Sequence, residues 1–176
     1  MKRILLLAFL ISSLGALSQT KKNKKAIQWH SWEEGIALAE KKNKKVFVDI
    51  YTDWCGFCRK MDADTFSDPE VAKYMNKNFI MIKLDGESKE VLSYKGQEYA
   101  FKKANRRGHH ELAEVLVGRK PPYPTFVVLD QNQDVVDSFI GYKNKEKFMP
   151  VISYYGSESY KEQNWDEYYK AYVLAN

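Results

Sequence analysis

The sequence predicts an α/β domain in which a central mixed sheet is covered by helices on both faces. Short apolar segments rich in β-branched and aromatic residues recur along the chain, and helix-start signals stand between them. The last two apolar segments are joined by a short polar turn, which predicts a hairpin. A chain of 176 residues with 44% hydrophobic side chains suits a single domain with one full-sized core.

Residues 1–18 have the pattern of a secretory signal peptide. Lys2 and Arg3 lead into the apolar run ILLLAFLISSLGAL, and small residues follow, so we expect cleavage after Ser18. An uncleaved membrane anchor is the less favoured alternative, because the run is shorter than the roughly 20 apolar residues that cross a bilayer. We therefore expect a periplasmic or otherwise extracytoplasmic protein with no stable membrane insertion after cleavage.

Residues 19–30 are predicted to form a polar tether ahead of a domain that spans residues 31–176. Loss of Lys2 and Arg3 would leave 26 basic side chains against 23 acidic ones, a net charge of +3. That mild excess, with its lysines concentrated in residues 21–25, is more typical of a solvated segment than of a nucleic-acid site. We expect no nucleic-acid partner.

The first half of the domain alternates helices and strands. Ser31 and Glu34 have capping-box spacing and predict a helix to about residue 42, and KVFVDIY (45–51) predicts a buried strand. A helix over 56–64 should follow that strand. Ser67 and Glu70 indicate a second capping box for a helix over 68–76, and FIMIKL (79–84) predicts the next strand.

The second half begins with a polar stretch, residues 86–108, that we interpret as an insertion. A helix over 109–117, a hairpin of TFVVL (125–129) and VVDSFI (135–140), and a helix over about 144–155 follow. Pro150 should kink or restart that helix because it removes a backbone donor. Residues 157–176 are predicted to be a C-terminal extension whose last helix is capped by Asn164 and Glu167 and packs through aromatic residues.

The two cysteines, Cys55 and Cys58, are separated by two residues at the predicted helix start. In a chain directed to an oxidising compartment this spacing favours a working redox pair. The helix N-terminus stabilises a thiolate, so we assign Cys55 as the nucleophile and Cys58 as the resolving thiol.

Two other interpretations of the pair remain. A purely structural disulfide would close so short a loop that it would stabilise the chain little. A zinc site needs about four ligands, and the adjacent His109 and His110 lack the usual spacing. We expect no metal and no bound cofactor, and we interpret both histidines as solvated residues at a helix start.

Over residues 45–156 the chain resembles the thioredoxin superfamily, through KVFVDIYTDWCGFCRKM, the strand ending IKLD, and YPTFVVLD with its hairpin. Within that superfamily, DWCGFCRKMDADTFSDPEV looks like the periplasmic thioredoxin domain of the disulfide reductase DsbD and its single-domain relatives. The sequence departs from thioredoxin at the insertion, at the C-terminal extension, and at Phe57, where thioredoxin has proline. The resemblance implies a thioredoxin fold around a CGFC dithiol.

The resemblance also implies roles for residues outside the cysteine pair. Asp49 matches the buried carboxylate of thioredoxin and should accept the proton of Cys58, with its pKa raised by burial. Lys83 resembles the lysine that pairs with that carboxylate. Pro124 matches the cis-proline beside the cysteines, which leaves Tyr123 facing the nucleophile. The alternatives are a solvent-facing Asp49 and an ordinary trans Pro124.

Trp54 and Phe57 are expected to form an apolar rim around the nucleophile, although Trp54 could instead pack in the core. The function implied is protein-disulfide reduction outside the cytoplasm, with protein disulfides as substrates and a membrane thiol as electron donor. A disulfide isomerase or oxidase is an alternative, because Gly56 and Phe57 form a Gly-aromatic pair like those of isomerases. A thioredoxin-fold binding module is an alternative of another class.

Overall fold

The structure is a computed structural model that describes residues 26–104 and 106–175. The predicted signal peptide and residues 19–25 of the tether lie outside the described residues. The elements are, in chain order, β1 (Trp29–His30), α1 (Trp32–Lys42), β2 (Lys45–Tyr51), α2 (Gly56–Asp64), α3 (Pro69–Asn78), β3 (Phe79–Asp85), β4 (Leu92–Tyr94), β5 (Gln97–Tyr99), β6 (Phe101–Lys102), β7 (His109–His110), α4 (Glu111–Val117), β8 (Thr125–Leu129), β9 (Val135–Ile140), α5 (Lys145–Gly156), a 3-10 turn (Ser159–Lys161) and α6 (Trp165–Ala175). Among the described residues, no helix combines the length and apolar character that a membrane span requires.

The main sheet has five strands in the order β1-β3-β2-β8-β9. β1, β3 and β2 run parallel, whereas β8 is antiparallel to β2 and β9 is antiparallel to β8. This confirms the predicted mixed sheet and its terminal hairpin. Because β2 and β3 are parallel, their carboxyl ends lie at the same edge of the sheet, and the chain leaves β2 there to enter the cysteine segment.

The core forms on both faces of this sheet because the side chains of β2 alternate between them. Phe47 packs in one cluster with residues of α2, α3 and α5. Val46, Val48 and Ile50 pack in the other cluster, with residues of α1 and α4. Asp49 shares the parity of Phe47, so its carboxylate lies on the face that α2 covers.

Local capping sets the helix starts. Ser31 and Glu34 form the predicted capping box of α1. The second predicted capping box is wrong, because the N-cap of α3 is Asp68, whose carboxylate accepts from the backbone N–H groups of Glu70 and Val71. Ser67 instead donates its hydroxyl to a carbonyl of the preceding helix. Helix α3 begins at Pro69, one residue later than predicted, because Asp68 is a favourable N-cap residue and proline is favourable at the first helical position.

The tether prediction is wrong for its last residues. Ile27 is buried in the core, and β1 pairs with Met81 and Ile82 of β3. The side chain of Asn76 fastens the segment further, because it accepts from the backbone N–H of Gln28 and donates to a neighbouring carbonyl. The end of the predicted tether therefore forms an additional strand, β1, at the edge of the main sheet.

The insertion and the extension both have regular structure. β4 pairs with β5, and β6 pairs with β7 just beyond the end of the insertion. Helix α5 runs through Pro150 as one element, so the restart expected there is not found. Asn164 and Glu167 exchange the predicted capping bonds at the start of α6, and its aromatic residues pack against Tyr154.

Candidate functional site

The two cysteines form a disulfide at the start of α2. Cys55 is the N-cap residue, and its Sγ accepts a hydrogen bond from the backbone N–H of Cys58 at 3.0 Å. The backbone N–H of Cys55 donates to the carbonyl of Thr52, which closes the turn between β2 and the helix. Because the free N–H groups and dipole of a helix N-terminus stabilise negative charge, this position favours a thiolate at Cys55 when the disulfide is reduced.

Asp49 is buried on β2 with only 2% of its surface exposed. Burial raises the pKa of this carboxyl from 3.8 to about 7, and the nearby charge of Asp62 adds to that rise, whereas Lys83 opposes it. Its Oδ2 atom lies 3.4 Å from Lys83 Nζ, while its Oδ1 atom has no hydrogen-bond partner among the described residues. A carboxyl that is close to half-protonated at neutral pH can take up and release a proton.

Lys83 is shared between two carboxylates. Its ammonium group donates to both oxygens of Asp62, at 2.5 and 2.7 Å, and is farther from Asp49. Asp62 lies four residues after Cys58 on α2, which places both side chains on one face of the helix. The sequence reasoning missed Asp62, although its spacing from Cys58 is a signal that could have found it.

Tyr123 and Pro124 stand at the start of β8, and the bond between them is cis. The ring of Tyr123 packs edge-on against Trp54 with 5.7 Å between centroids, and its hydroxyl lies 3.4 Å from the carbonyl of Gly86. A Cβ atom at Gly86 would collide with the tyrosine ring, so this close approach requires glycine. Burial raises the pKa of Tyr123 to about 12, with Glu87 and Asp85 contributing, so the hydroxyl stays neutral.

The residues around Cys55 form an exposed apolar rim. Trp54 is 48% exposed and Phe57 is 64% exposed, and Gly56 between the cysteines is also open to solvent. Trp54 is therefore not a core residue. Large apolar side chains exposed beside one another are typical of interaction surfaces.

The insertion reaches this rim through Arg107. The guanidinium carbon of Arg107 lies 4.3 Å from the centroid of the Trp54 ring, a stacking distance. The two ends of the insertion are also joined, because the backbone N–H of His110, just after its end, donates to the carbonyl of Gly86 at its start. No pattern in the sequence assigned residues 86–108 to the site, because the stacking depends on how short, irregular strands fold back.

The expectation that His109 and His110 are solvated is wrong, since both are buried. His110 is the N-cap of α4: its Nδ1 accepts from the backbone N–H of Leu112, and its Nε2 contacts the carbonyl of Glu90. His109 Nε2 lies 2.7 Å from a carboxylate oxygen of Glu114. These two side chains bind Leu112 and Glu114 of α4 and Glu90 of the insertion, and they serve the local structure.

The described residues hold no group of three or more histidine, cysteine, aspartate or glutamate side chains that could bind a metal ion.

A mixed sheet with the strand order β1-β3-β2-β8-β9 and a disulfide of CxxC spacing at a helix start together define a thioredoxin-fold oxidoreductase with a redox-type cysteine pair. The structure is similar to that of a thioredoxin from Thermus thermophilus, with a TM-score of 0.54 and 23% identity over 73% of this chain and 85% of that one. It is also similar to a putative disulphide-isomerase from Bacteroides thetaiotaomicron, with a TM-score of 0.52 and 27% identity over 76% of this chain and 93% of that one.

Residues 13–131 match the model of the Thioredox_DsbH family, described as a protein of unknown function, DUF255, and the chain belongs to that family. It is 30% identical over 64 residues to mouse spermatogenesis-associated protein 20 and 38% identical over 53 residues to the thiol:disulfide interchange protein DsbD of Vibrio vulnificus. These alignments cover 36% and 30% of this chain but only 8% and 9% of the two relatives. An uncharacterised Archaeoglobus fulgidus protein is 31% identical over 46% of this chain and 63% of its own length.

Proposed function

We propose that this protein is an extracytoplasmic protein-disulfide reductase that works through the Cys55–Cys58 pair. The observation that carries the proposal is the position of this pair at the start of α2, a helix whose Asp62 shares Lys83 with the buried carboxyl of Asp49. The helix terminus favours a thiolate at the first cysteine, and the raised pKa of the carboxyl provides a proton acceptor for the second.

In the proposed reaction the reduced protein attacks a substrate disulfide. The Cys55 thiolate forms a bond to one substrate sulfur, and the substrate S–S bond breaks with its electron pair leaving on the other sulfur. Cys58 then gives its proton to Asp49 and attacks Cys55, which releases the second substrate thiolate and restores the disulfide seen here. Two electrons pass from the protein to the substrate, which becomes two thiols.

The substrates proposed are protein disulfides in extended polypeptide. The rim formed by Trp54 and Phe57 offers apolar contact beside Cys55. The electron donor that reduces the pair again is proposed to be a membrane thiol protein. The signal-peptide pattern of residues 1–18 supports an extracytoplasmic location.

The reduction potential of the pair tests the direction of electron flow. A reductase should have a potential near the roughly −270 mV of thioredoxin and should catalyse insulin reduction by dithiothreitol. A potential near the roughly −120 mV of the oxidant DsbA would contradict the proposal and favour an oxidase. Failure to reduce any model disulfide, with the fold intact by circular dichroism, would favour a binding module.

An isomerase is the second candidate, because the solved structure from Bacteroides thetaiotaomicron that resembles this chain is described as a putative disulphide-isomerase. Recovery of scrambled ribonuclease activity separates the two. A reductase should leave the substrate as free thiols, whereas an isomerase should restore native disulfides without net consumption of reductant.

Trapping identifies the partners. Cys58→Ser lacks the resolving thiol, so mixed disulfides on Cys55 should accumulate in the native envelope and can be identified by mass spectrometry. Cys55→Ser is the matched control and should trap no partner through Cys58, which is the more buried of the two cysteines. Equal recovery of proteins from both variants would argue against Cys55 as the nucleophile.

The role proposed for Asp49 has its own test. Asp49→Asn should form the mixed disulfide with Cys55 at a near-normal rate but resolve it slowly, because the acceptor for the Cys58 proton is gone. Rapid-quench measurements of the two steps distinguish this result from a general loss of activity, which would slow both.

A further inference from the structure

The end of the insertion places a cation directly beside the redox site. Arg107 stacks on the exposed ring of Trp54, the residue before Cys55. The backbone carbonyl of Arg107 accepts from Lys120 Nζ at 3.3 Å. The paired strands β6 and β7 flank the segment that contains Arg107. Gly108 packs closely against β6, because a Cβ atom there would collide with the carbonyl of Lys102. The position of Arg107 is therefore built into the insertion.

A stacked guanidinium keeps its N–H donors free, because they lie in the plane of the group and point away from its faces. Among the residues that the structure describes, none forms a salt bridge or hydrogen bond with the side chain of Arg107. Some other surface cations are paired with carboxylates, such as Lys102 with Glu114 and Lys60 with Asp64. The guanidinium of Arg107 thus presents a fork of donors that matches a carboxylate.

Charged side chains lie at both ends of the insertion. Asp85 ends β3 just before it and Glu87 lies at its start, and after the larger effect of burial their negative charges help to raise the pKa of Tyr123. Lys103, Arg106 and Arg107 lie at its end, and all three are exposed. The cation that lies against Trp54 is Arg107, whereas the carboxylates of Asp85 and Glu87 lie near Tyr123.

We propose that Arg107, held on Trp54, is a specificity contact that selects protein disulfides with an aspartate or glutamate close to the cysteine that Cys55 attacks. The inference rests on the proposed reductase function and names the class of its substrate. The substrate carboxylate accepts from the edge of the Arg107 guanidinium, while the apolar part of the segment contacts the ring of Trp54. The insertion then acts as a substrate-selecting arm of the thioredoxin fold.

The test uses the full chain with Cys58→Ser and short peptides whose single cysteine is blocked as a mixed disulfide with thionitrobenzoate. Cys55 attacks the peptide sulfur, a new Cys55–peptide disulfide forms, and thionitrobenzoate leaves as a coloured thiolate that reports the rate. Peptides that differ only in a glutamate, glutamine or lysine beside the cysteine are compared. We expect the glutamate peptide to react about two- to fivefold faster than the glutamine peptide, the range of an exposed ion pair.

Three substitutions define the contact. Arg107→Gln should remove the preference for glutamate, and Arg107→Lys should retain only part of it, because an ammonium group keeps the charge but loses the planar fork. Arg106→Gln is the matched control: it removes one charge from the same segment and should leave most of the preference. High salt should reduce the preference in the parent protein.

Equal rates for the three peptides in the parent protein would overturn this inference and leave the reductase proposal standing. A preference that survives Arg107→Gln would overturn it as well. Fluorescence anisotropy with peptides that carry serine in place of cysteine gives a readout that needs no redox chemistry. If no peptide reacts, tighter binding of the glutamate peptide to the parent than to Arg107→Gln supports the docking contact, and equal binding overturns it.

Discussion

Asp49→Asn measures most directly how much the charged, buried carboxyl of Asp49 lowers the free energy of unfolding. In the oxidised protein the substitution keeps the shape of the side chain and removes its charge. The pKa of Asp49 rises from 3.8 in the unfolded chain to about 7 in the folded protein. At about 1.36 kcal/mol for each pKa unit, this difference corresponds to a free energy on the order of 4 kcal/mol.

The sign follows from proton binding. Between about pH 4 and pH 7 the folded protein holds a proton on Asp49 that the unfolded chain has released, so the free energy of unfolding falls as the pH rises. Above about pH 7 both states have lost the proton and this contribution is constant. The asparagine variant lacks the effect, so it should become more stable than the parent as the pH rises, and from pH 5 to pH 8 its advantage should grow by roughly 3 kcal/mol.

Urea unfolding of the oxidised proteins at a series of pH values measures this advantage, because other titrations cancel in the difference between variant and parent. Asp64→Asn is the control: hydrogen bonds from Lys60 and Tyr142 hold the pKa of the exposed Asp64 below its usual value. Its difference from the parent should stay constant from pH 5 to pH 8, because a lowered pKa changes the stability of the parent only below about pH 4. A difference for Asp49→Asn that does not change with pH would refute the assignment of a raised pKa.

Four further substitutions test the surrounding structure. Asp62→Asn removes a negative charge near Asp49 and frees Lys83, so the pKa of Asp49 should fall. The pH midpoint for resolving the mixed disulfide should then move down, and an unchanged midpoint would contradict the coupling between the two carboxyl groups. Lys45→Met removes a buried ammonium group that donates to the carbonyl of Gly156 at the end of α5. The free energy of unfolding measured with urea should fall by about 1–3 kcal/mol, and an unchanged value would count against the contact. Asp68→Ala should cost about 1 kcal/mol in the same assay because two backbone bonds are lost, and Ser67→Ala should cost less. Equal losses would contradict the assignment of the cap.

The sequence predicted the central elements because their patterns are long and simple. The apolar run over 45–51, the helix over 56–64 and the hairpin strands over 125–129 and 135–140 have the predicted bounds in the structure. The insertion lacked such patterns. Its strands are two or three residues long and pair through backbone bonds, which leave no periodicity in the side chains.

The site was predictable where the chain itself sets the geometry and unpredictable where distant segments meet. Cys55 and Cys58 needed only their spacing, whereas Asp49 needed its place on an apolar strand together with the resemblance to thioredoxin. His109 and His110 look like solvated residues in a polar stretch of sequence, but folding buries them where His109 binds Glu114 of α4 and His110 binds the carbonyl of Glu90 in the insertion. The stacking of Arg107 on Trp54 joins segments far apart in sequence, and no local pattern encodes it.

The short strand β1 also determines how the molecule can be presented on a surface. It runs parallel to β3, and Ala26 just before it is held by the side chain of Asn76, near the start of β3. The cysteines follow the opposite ends of the parallel strands, so Ala26 and Cys55 lie at opposite poles of the sheet. Immobilisation of the domain through residue 26 would therefore orient the cysteine pair outward on every molecule. A sensor chip or electrode prepared in this way would expose a uniform layer of redox sites to substrates in solution.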